Sequence, residues 1–354
     1  AYRMGREQIY TILAVAAALV SVLVFSEILC RTWNIGFPNR HATGDQGLFV
    51  PDPDPEISYR LKPGFEAPVY GAMVRVNSRG LRESESLAYN GPEEVYRILC
   101  LGDSVVFGFG IEQPEAFPAV LERLLTERER SDFEAINTGV PGYNTVQEVR
   151  FLETEGFRYH PRLVLLFLVI NDPESTRTLD SQGNLLPAPE DIWLRLSQKY
   201  GALSPADTSC HTYNAVCRAF FPLTARYRKI LGEAVRYQTE EIFTNPSWEA
   251  CQTALAELRA WSESNAIPVV PVILPVLADF KNHPYKGSYD RLSSACVENG
   301  LAPVSAFEAL SRYSPEQLRV HPLDGHPGIF GHRIIAEFLA DTLKQQGFWS
   351  KANG

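Results

Sequence analysis

The chain has 354 residues, with 33 Lys and Arg against 42 Asp and Glu, and a net charge of −9 at pH 7. Its length suits one large domain or two small ones, and 45% hydrophobic with 21% charged residues is an ordinary globular composition without low-complexity tracts. The acidic balance argues against nucleic acid as a partner, because phosphate binding needs clustered Lys and Arg.

Residues 1–8 read as a cytoplasmic N-terminus carrying Arg3 and Arg6, and residues 9–29 as a transmembrane anchor. Ile9 to Phe25 holds no charge; extended to Leu29 as a helix, it spans about 30 Å, the hydrocarbon thickness. No small-x-small cleavage site follows, and Leu29 before Cys30 spoils a lipoprotein-type signal, so an anchor is favoured over a cleaved signal peptide. The flanking arginines place everything after Cys30 outside the cytoplasm. Ala14, Ala17, Ala18 and Ser21 form a small-residue face that suits either a transmembrane partner helix or a lone anchor in lipid.

Residues 30–56 read as a linker, rich in Pro, Gly and Asp between Asn34 and Pro55. Residues 57–94 form a small β-containing lead-in, in which Ile57 to Val76 alternates around a turn at Pro63-Gly64. The core is expected over 95–346, with strands at Arg97–Leu101, Phe133–Asn137, Leu163–Ile170, Val269–Leu274 and Ala302–Ala306. Helices are expected at Phe117–Glu127, Thr145–Glu155, Trp248–Ser264, Tyr289–Glu298 and Phe330–Gln346. This alternation predicts an α/β three-layer sandwich around a central parallel sheet. An insertion at 173–246 interrupts it and carries Trp193, Phe220, Phe221 and Tyr227. A lid, an acceptor-binding surface, a docking surface and extra packing all fit that stretch. Residues 347–354 are a tail.

Of six cysteines, Cys100 falls in a buried strand and reads as a small hydrophobe. Cys210 with Cys217, and Cys251 with Cys296, are plausible bridges in an oxidising compartment, although spacing does not fix connectivity. No spacing suggests zinc, and no metal or organic cofactor is implied.

Four short stretches carry the chemistry: Gly102-Asp103-Ser104, Gly139-Val140-Pro141-Gly142, Asn171-Asp172 and Asp324-Gly325-His326-Pro327. Each follows a strand-like run or opens a helix-like one, where open α/β sheets place ligand sites. A serine hydroxyl needs a base within hydrogen-bond reach, and a base needs a carboxylate to fix its tautomer. His326 and Asp324 fit those roles for Ser104; His321 and His332 are rival bases without so convenient a carboxylate. Taken singly, Ser104 also reads as a helix cap, Gly142 as a Pro-Gly turn and Asn171 as a turn residue.

In this order the four stretches resemble the SGNH hydrolases, also called the GDSL esterase/lipase family. Arg75 to Leu81, followed by Arg82, resembles a segment of its membrane-anchored bacterial members. The resemblance implies a flavodoxin-like fold and an oxyanion hole made by Ser104, Gly142 and Asn171. It further implies a serine esterase or acyltransferase in the bacterial inner membrane, with its domain on the periplasmic side and an ester-bearing glycan, lipid or small ester as substrate. Two positions depart from the family pattern. Val169 stands where a glycine is usual, and Asp324-x-His326 is one residue shorter than the usual Asp-x-x-His. A catalytically inactive subunit of a membrane complex is the alternative expectation.

Overall fold

The computed structural model describes residues 15, 18, 20–28, 47–192, 195–196, 199, 225–321 and 324–349. The chain divides into two compact units, Ala1–Gly44 with Trp193–Ala234, and Asp45–Ile192 with Val235–Gly354. In the first, residues 20–28 are helical, with Val20, Val22, Leu23, Val24, Phe25 and Ile28 exposed. Among the described residues no helix is long and apolar enough to cross a membrane. Most of 9–29, Ala14 included, lies outside the described residues, as do 30–46, Trp193, Phe220, Phe221, Cys30, Cys210, Cys217 and 350–354.

The second unit begins within the stretch expected to be linker. There β1 (Phe49–Pro51) pairs antiparallel with β2 (Tyr59–Leu61). The apolar Leu48 and Phe49, buried against Tyr59 and Leu61, outweigh the surrounding Pro and Asp. A second hairpin joins β3 (Glu66–Val69) to β4 (Ala72–Arg75).

The core strands are β5 (Tyr96–Leu101), β6 (Phe133–Asn137), β7 (Leu163–Leu168), β8 (Val269–Ile273) and β9 (Val304–Ser305). They form one parallel sheet in the order β6-β5-β7-β8-β9. Counted along the core alone this is 2-1-3-4-5, the flavodoxin-like order, whose reversal at β5 leaves a crevice at the strands' carboxyl ends. β7 is buried at every residue, as expected of a parallel strand covered on both faces.

Alternation decides which helix each residue meets. Ile98, Cys100, Leu165 and Phe167 face α2 (Phe117–Glu129) and the last helix, while Leu99, Leu101, Leu166 and Leu168 face the opposite layer. That layer holds α3 (Thr145–Thr154), α5 (Pro246–Asn265) and α6 (Lys286–Glu298). Between them in sequence, α4 spans Ala225–Arg236; α7 (Ile329–Gln345) closes the chain. A four-residue helix, α1 (Ser104–Phe107), follows β5.

The expected core elements are present, with three strands shorter than expected, β8 by the single residue Leu274. β7 stops at Leu168 because the Asp172 carboxylate takes the Val169 N–H and turns the chain. β9 is only Val304–Ser305. Cys251 and Cys296 are free, buried thiols rather than a bridge; both face the layer interior, where Cys251 Sγ donates to Thr145 Oγ1. The edge strand β6 is blunted, since its Ala135 and Asn137 N–H groups donate to the Glu122 and Glu83 carboxylates rather than standing open to another strand.

Candidate active site

Ser104 opens α1 directly after β5. The cap of this turn is Asp103, whose Oδ1 accepts the Val105 N–H at 2.9 Å. The Ser104 hydroxyl is therefore not spent on capping. It lies 2.8 Å from His326 Nε2 and 3.2 Å from Asp103 Oδ2.

His326 arrives on a hairpin rather than a loop: β10 (Arg319–His321) pairs antiparallel with β11 (Asp324–Pro327). Residues two apart on a strand face the same side, so the short Asp-x-His spacing sets both side chains toward one another. Asp324 Oδ1 lies 2.7 Å from His326 Nδ1 and also accepts the His326 N–H at 2.9 Å. A carboxylate at Nδ1 fixes the proton there and leaves the Nε2 lone pair facing the serine. His326 also lies face-on to Phe109, with centroids 4.2 Å apart and planes 20° apart.

The rival histidines lie elsewhere in function. His332 is fully buried on α7, where Nδ1 accepts the Phe117 N–H at 3.0 Å. Burial, with the nearby His326 and Arg82 charges, pushes it down to about 3, so it stays neutral. His321 sits across the hairpin from Asp324 in the strand register.

The loop after β6 carries two glycines with different tasks. A side chain on Gly139 would collide with the α1 backbone at Phe107, so only glycine lets the loop close on the nucleophile turn. Gly142 has φ +83°, and a Cβ there would meet Leu185, the Tyr59 hydroxyl and Arg177. Leu185 and Arg177, from the start of the predicted insertion, thus lie on this glycine from one side. Tyr59 of the lead-in meets them there, donating its hydroxyl to Pro141 O at 3.0 Å.

Asn171 follows β7 and donates Nδ2 to Asp103 Oδ2 at 3.3 Å. Asp172, buried behind it, accepts from Thr145 Oγ1 at 2.7 Å and from Val169 N–H at 2.5 Å. Val169 shows no left-handed backbone and buries its side chain, so the missing family glycine brings no strain. Asn144 caps α3 and donates to Glu174 O at 2.8 Å, tying this turn to the one after β6.

A buried acidic pair lies beneath the site. Glu148 is fully enclosed with neither oxygen hydrogen-bonded, and burial together with Asp172 and Asp103 pushes its carboxyl far up. Asp172 is also pushed up by burial, but its two hydrogen bonds favour its charge, so the proton belongs on Glu148. Sequence reasoning missed Glu148, as it missed Phe109; neither position sits in a motif. Among the described residues no group of three or more His, Cys, Asp or Glu is placed to hold a metal ion.

Ser104, His326 and Asp324 therefore form one hydrogen-bonded line at the carboxyl end of a doubly wound sheet, the arrangement of a serine hydrolase. The GDSL-like Lipase/Acylhydrolase family model matches residues 100–334, and the chain belongs to that family of ester hydrolases. Similar solved structures include the lipase/acylhydrolase from Enterococcus faecalis, at 12% identity and TM-score 0.41, covering 71% of this chain and 96% of that one. An acetylxylan esterase from Geobacillus stearothermophilus matches at 14% identity and TM-score 0.41, covering 71% and 95%. LAE5, an alpha/beta hydrolase enzyme from the metagenome of Lake Arreo, Spain, matches at 16% and TM-score 0.42, covering 72% and 97%. No curated protein matches the chain.

Proposed function

We propose that this chain is a Ser-His-Asp esterase or O-acyltransferase, held in a bacterial cytoplasmic membrane by residues 9–29 with its domain outside. The observation that carries the catalytic reading is the line Asp324 Oδ1–His326 Nδ1 at 2.7 Å and His326 Nε2–Ser104 Oγ at 2.8 Å. Ser104 Oγ attacks the ester carbonyl as its proton passes to Nε2. The tetrahedral intermediate collapses, the C–O bond breaks, and the imidazolium returns that proton to the leaving alkoxide. Water, or an acceptor hydroxyl in the transferase case, then attacks the acyl-serine and gives its own proton to His326; the acyl–Oγ bond breaks and the imidazolium returns that proton to Ser104 Oγ. Asp324 stabilises the imidazolium throughout.

Ser104 N–H, Gly142 N–H and Asn171 Nδ2 hold the oxyanion. Asn171 has two amide protons, so one can stay on Asp103 while the other serves the intermediate. The substrate is an ester-bearing glycan, lipid or small ester. The charge-free run at 9–25 and the exposed apolar side chains of helical residues 20–28 support the anchor. There Ser26 Oγ donates back to Leu23 O at 2.9 Å, satisfying the hydroxyl within the helix.

Ser104→Ala and His326→Ala should each abolish hydrolysis of a short-chain aryl ester, and a fluorophosphonate probe should label the wild type but not Ser104→Ala. Wild-type turnover no faster than Ser104→Ala, with no labelling, would establish the inactive-subunit reading instead.

A further inference from the structure

His326 stands on a two-stranded hairpin outside the main sheet, and its side chain is 23% exposed. Two in-plane hydrogen bonds fix where its nitrogens point. They do little against a swing of the ring out of its plane, because hydrogen bonds resist such tilting weakly. The surface that blocks the swing is Phe109, stacked on the imidazole at 4.2 Å. Tyr70 stacks on Phe109 in turn, with centroids 4.2 Å apart and planes 26° apart. Phe109 and Tyr70 are both buried, at 3% and 7% exposure.

The loop bearing Phe109 is itself clamped. Arg82, fully buried, donates to the carbonyls of Phe107 at 2.9 Å, Gly108 at 2.8 Å, Ile111 at 2.7 Å and Met73 at 3.2 Å. No carboxylate pairs with the guanidinium through these bonds. The Glu112 and Glu83 charges and the Phe107 ring, 4.8 Å from the guanidinium carbon, offset part of the cost of burying this cation.

We propose that Phe109 is a positioning residue for the His326 base, aimed by Arg82 and backed by Tyr70. Its ring keeps the imidazole in the plane shared with Ser104 and Asp324. Its π face also attracts the positive charge that develops on His326 as the serine proton arrives. That attraction exists in the transition state and not in the resting enzyme, so it acts on kcat rather than on KM. The proposal rests on the esterase reading above.

The test compares Phe109→Leu, Phe109→Tyr and wild type on a short-chain aryl ester, with thermal melting to select folded protein. Phe109→Leu should lower kcat roughly threefold to thirtyfold with KM unchanged, and Phe109→Tyr should restore it. The His326 ring-proton resonances, assigned by their loss in His326→Ala, should move downfield in Phe109→Leu as the ring current is removed. The proposal is overturned by kcat within twofold of wild type, by a rise in KM that accounts for the loss, or by failure of the tyrosine variant to recover. If Phe109→Leu does not fold, Tyr70→Leu removes the backing ring and should give a smaller kcat loss of the same kind; an unchanged kcat there overturns the proposal. Should the wild type be inert toward both ester and fluorophosphonate, the esterase reading fails. The positioning claim is then decided by the resonances alone, and unmoved His326 signals overturn it.

Discussion

At the scale of single residues, the site divides labour between one carboxylate that orients and another that anchors. Asp324 meets His326 at both the ring and the backbone, whereas Asp103 caps α1 and gathers Ser104 and Asn171. Asp324→Asn should leave the fold intact and lower kcat by about 10³–10⁴, since an amide no longer enforces the Nδ1–H tautomer. Asn171→Ala should cost about 10²–10³ in kcat through one lost oxyanion donor. Single-turnover kinetics on both variants would check the two, and equal losses would mean Asn171 does more than donate one bond. Ser104, His326, Asp324 and Asn171 were legible because their chemistry is tied to residue type and order. Phe109, Tyr70 and Arg82 were not, because a ring that stacks and a ring that fills the core look alike in sequence. Arg82 stood at the end of a noticed segment, yet nothing there revealed that its partners would be carbonyls of a loop some 25 residues on.

At the scale of elements, the shortened Asp-x-His spacing shows how secondary structure decides what a spacing means. Read as loop or helix, i and i+2 side chains diverge; on β11 they share a face. The strand itself was not legible, since β10 and β11 are three and four residues long and lie outside the main sheet. The central strands were legible because β7 and, from Ile98 on, β5 are continuous apolar runs buried on both faces. Gly142→Ala tests the turn that carries the glycine proposed as an oxyanion donor. Alanine at φ +83° costs roughly 1–2 kcal/mol, and the contacts with Leu185 and the Tyr59 hydroxyl add to it. Chemical denaturation should therefore show a loss of at least about that size, together with a fall in kcat. Unchanged stability would mean that this turn relaxes freely and does not hold the glycine.

At the scale of the whole molecule, buried acids set an unusual pH dependence. Burial raises Glu83 to about 8 and Glu174 to about 7, and pushes Glu148 and Asp172 up as well. In the unfolded chain these carboxyls lose their protons near pH 4–4.5. The folded chain keeps the protons of Glu83, Glu174 and Glu148, the last holding the proton of its pair with Asp172, so between about pH 4.5 and 8 it binds more protons and its stability falls as pH rises. His332 acts oppositely, being neutral when folded; its contribution is present above pH 6.5 and lost toward pH 3. The urea midpoint should therefore be lower at pH 8.5 than at pH 5.5, and Glu148→Gln should shrink that difference. A midpoint that rises between those pH values would show that the buried carboxyls ionise freely in the fold. The order of the core elements was legible at this scale, but the acids were not, because a helix position such as Glu148 looks solvent-facing until the layer above it is known.

The serine and its base are 222 residues apart in the chain, and the base comes last. During synthesis Ser104, the loops of Gly142 and Asn171 and all five sheet strands emerge before residue 319, yet none of them supplies a base for the hydroxyl. The hairpin that completes the line also leads into α7, whose Ile335, Leu339 and Leu343 finish one face of the core. Closing this face of the core and bringing His326 to Ser104 thus depend on the same C-terminal segment. A growing chain, or one cut short before the hairpin, carries a serine without the histidine that would take its proton.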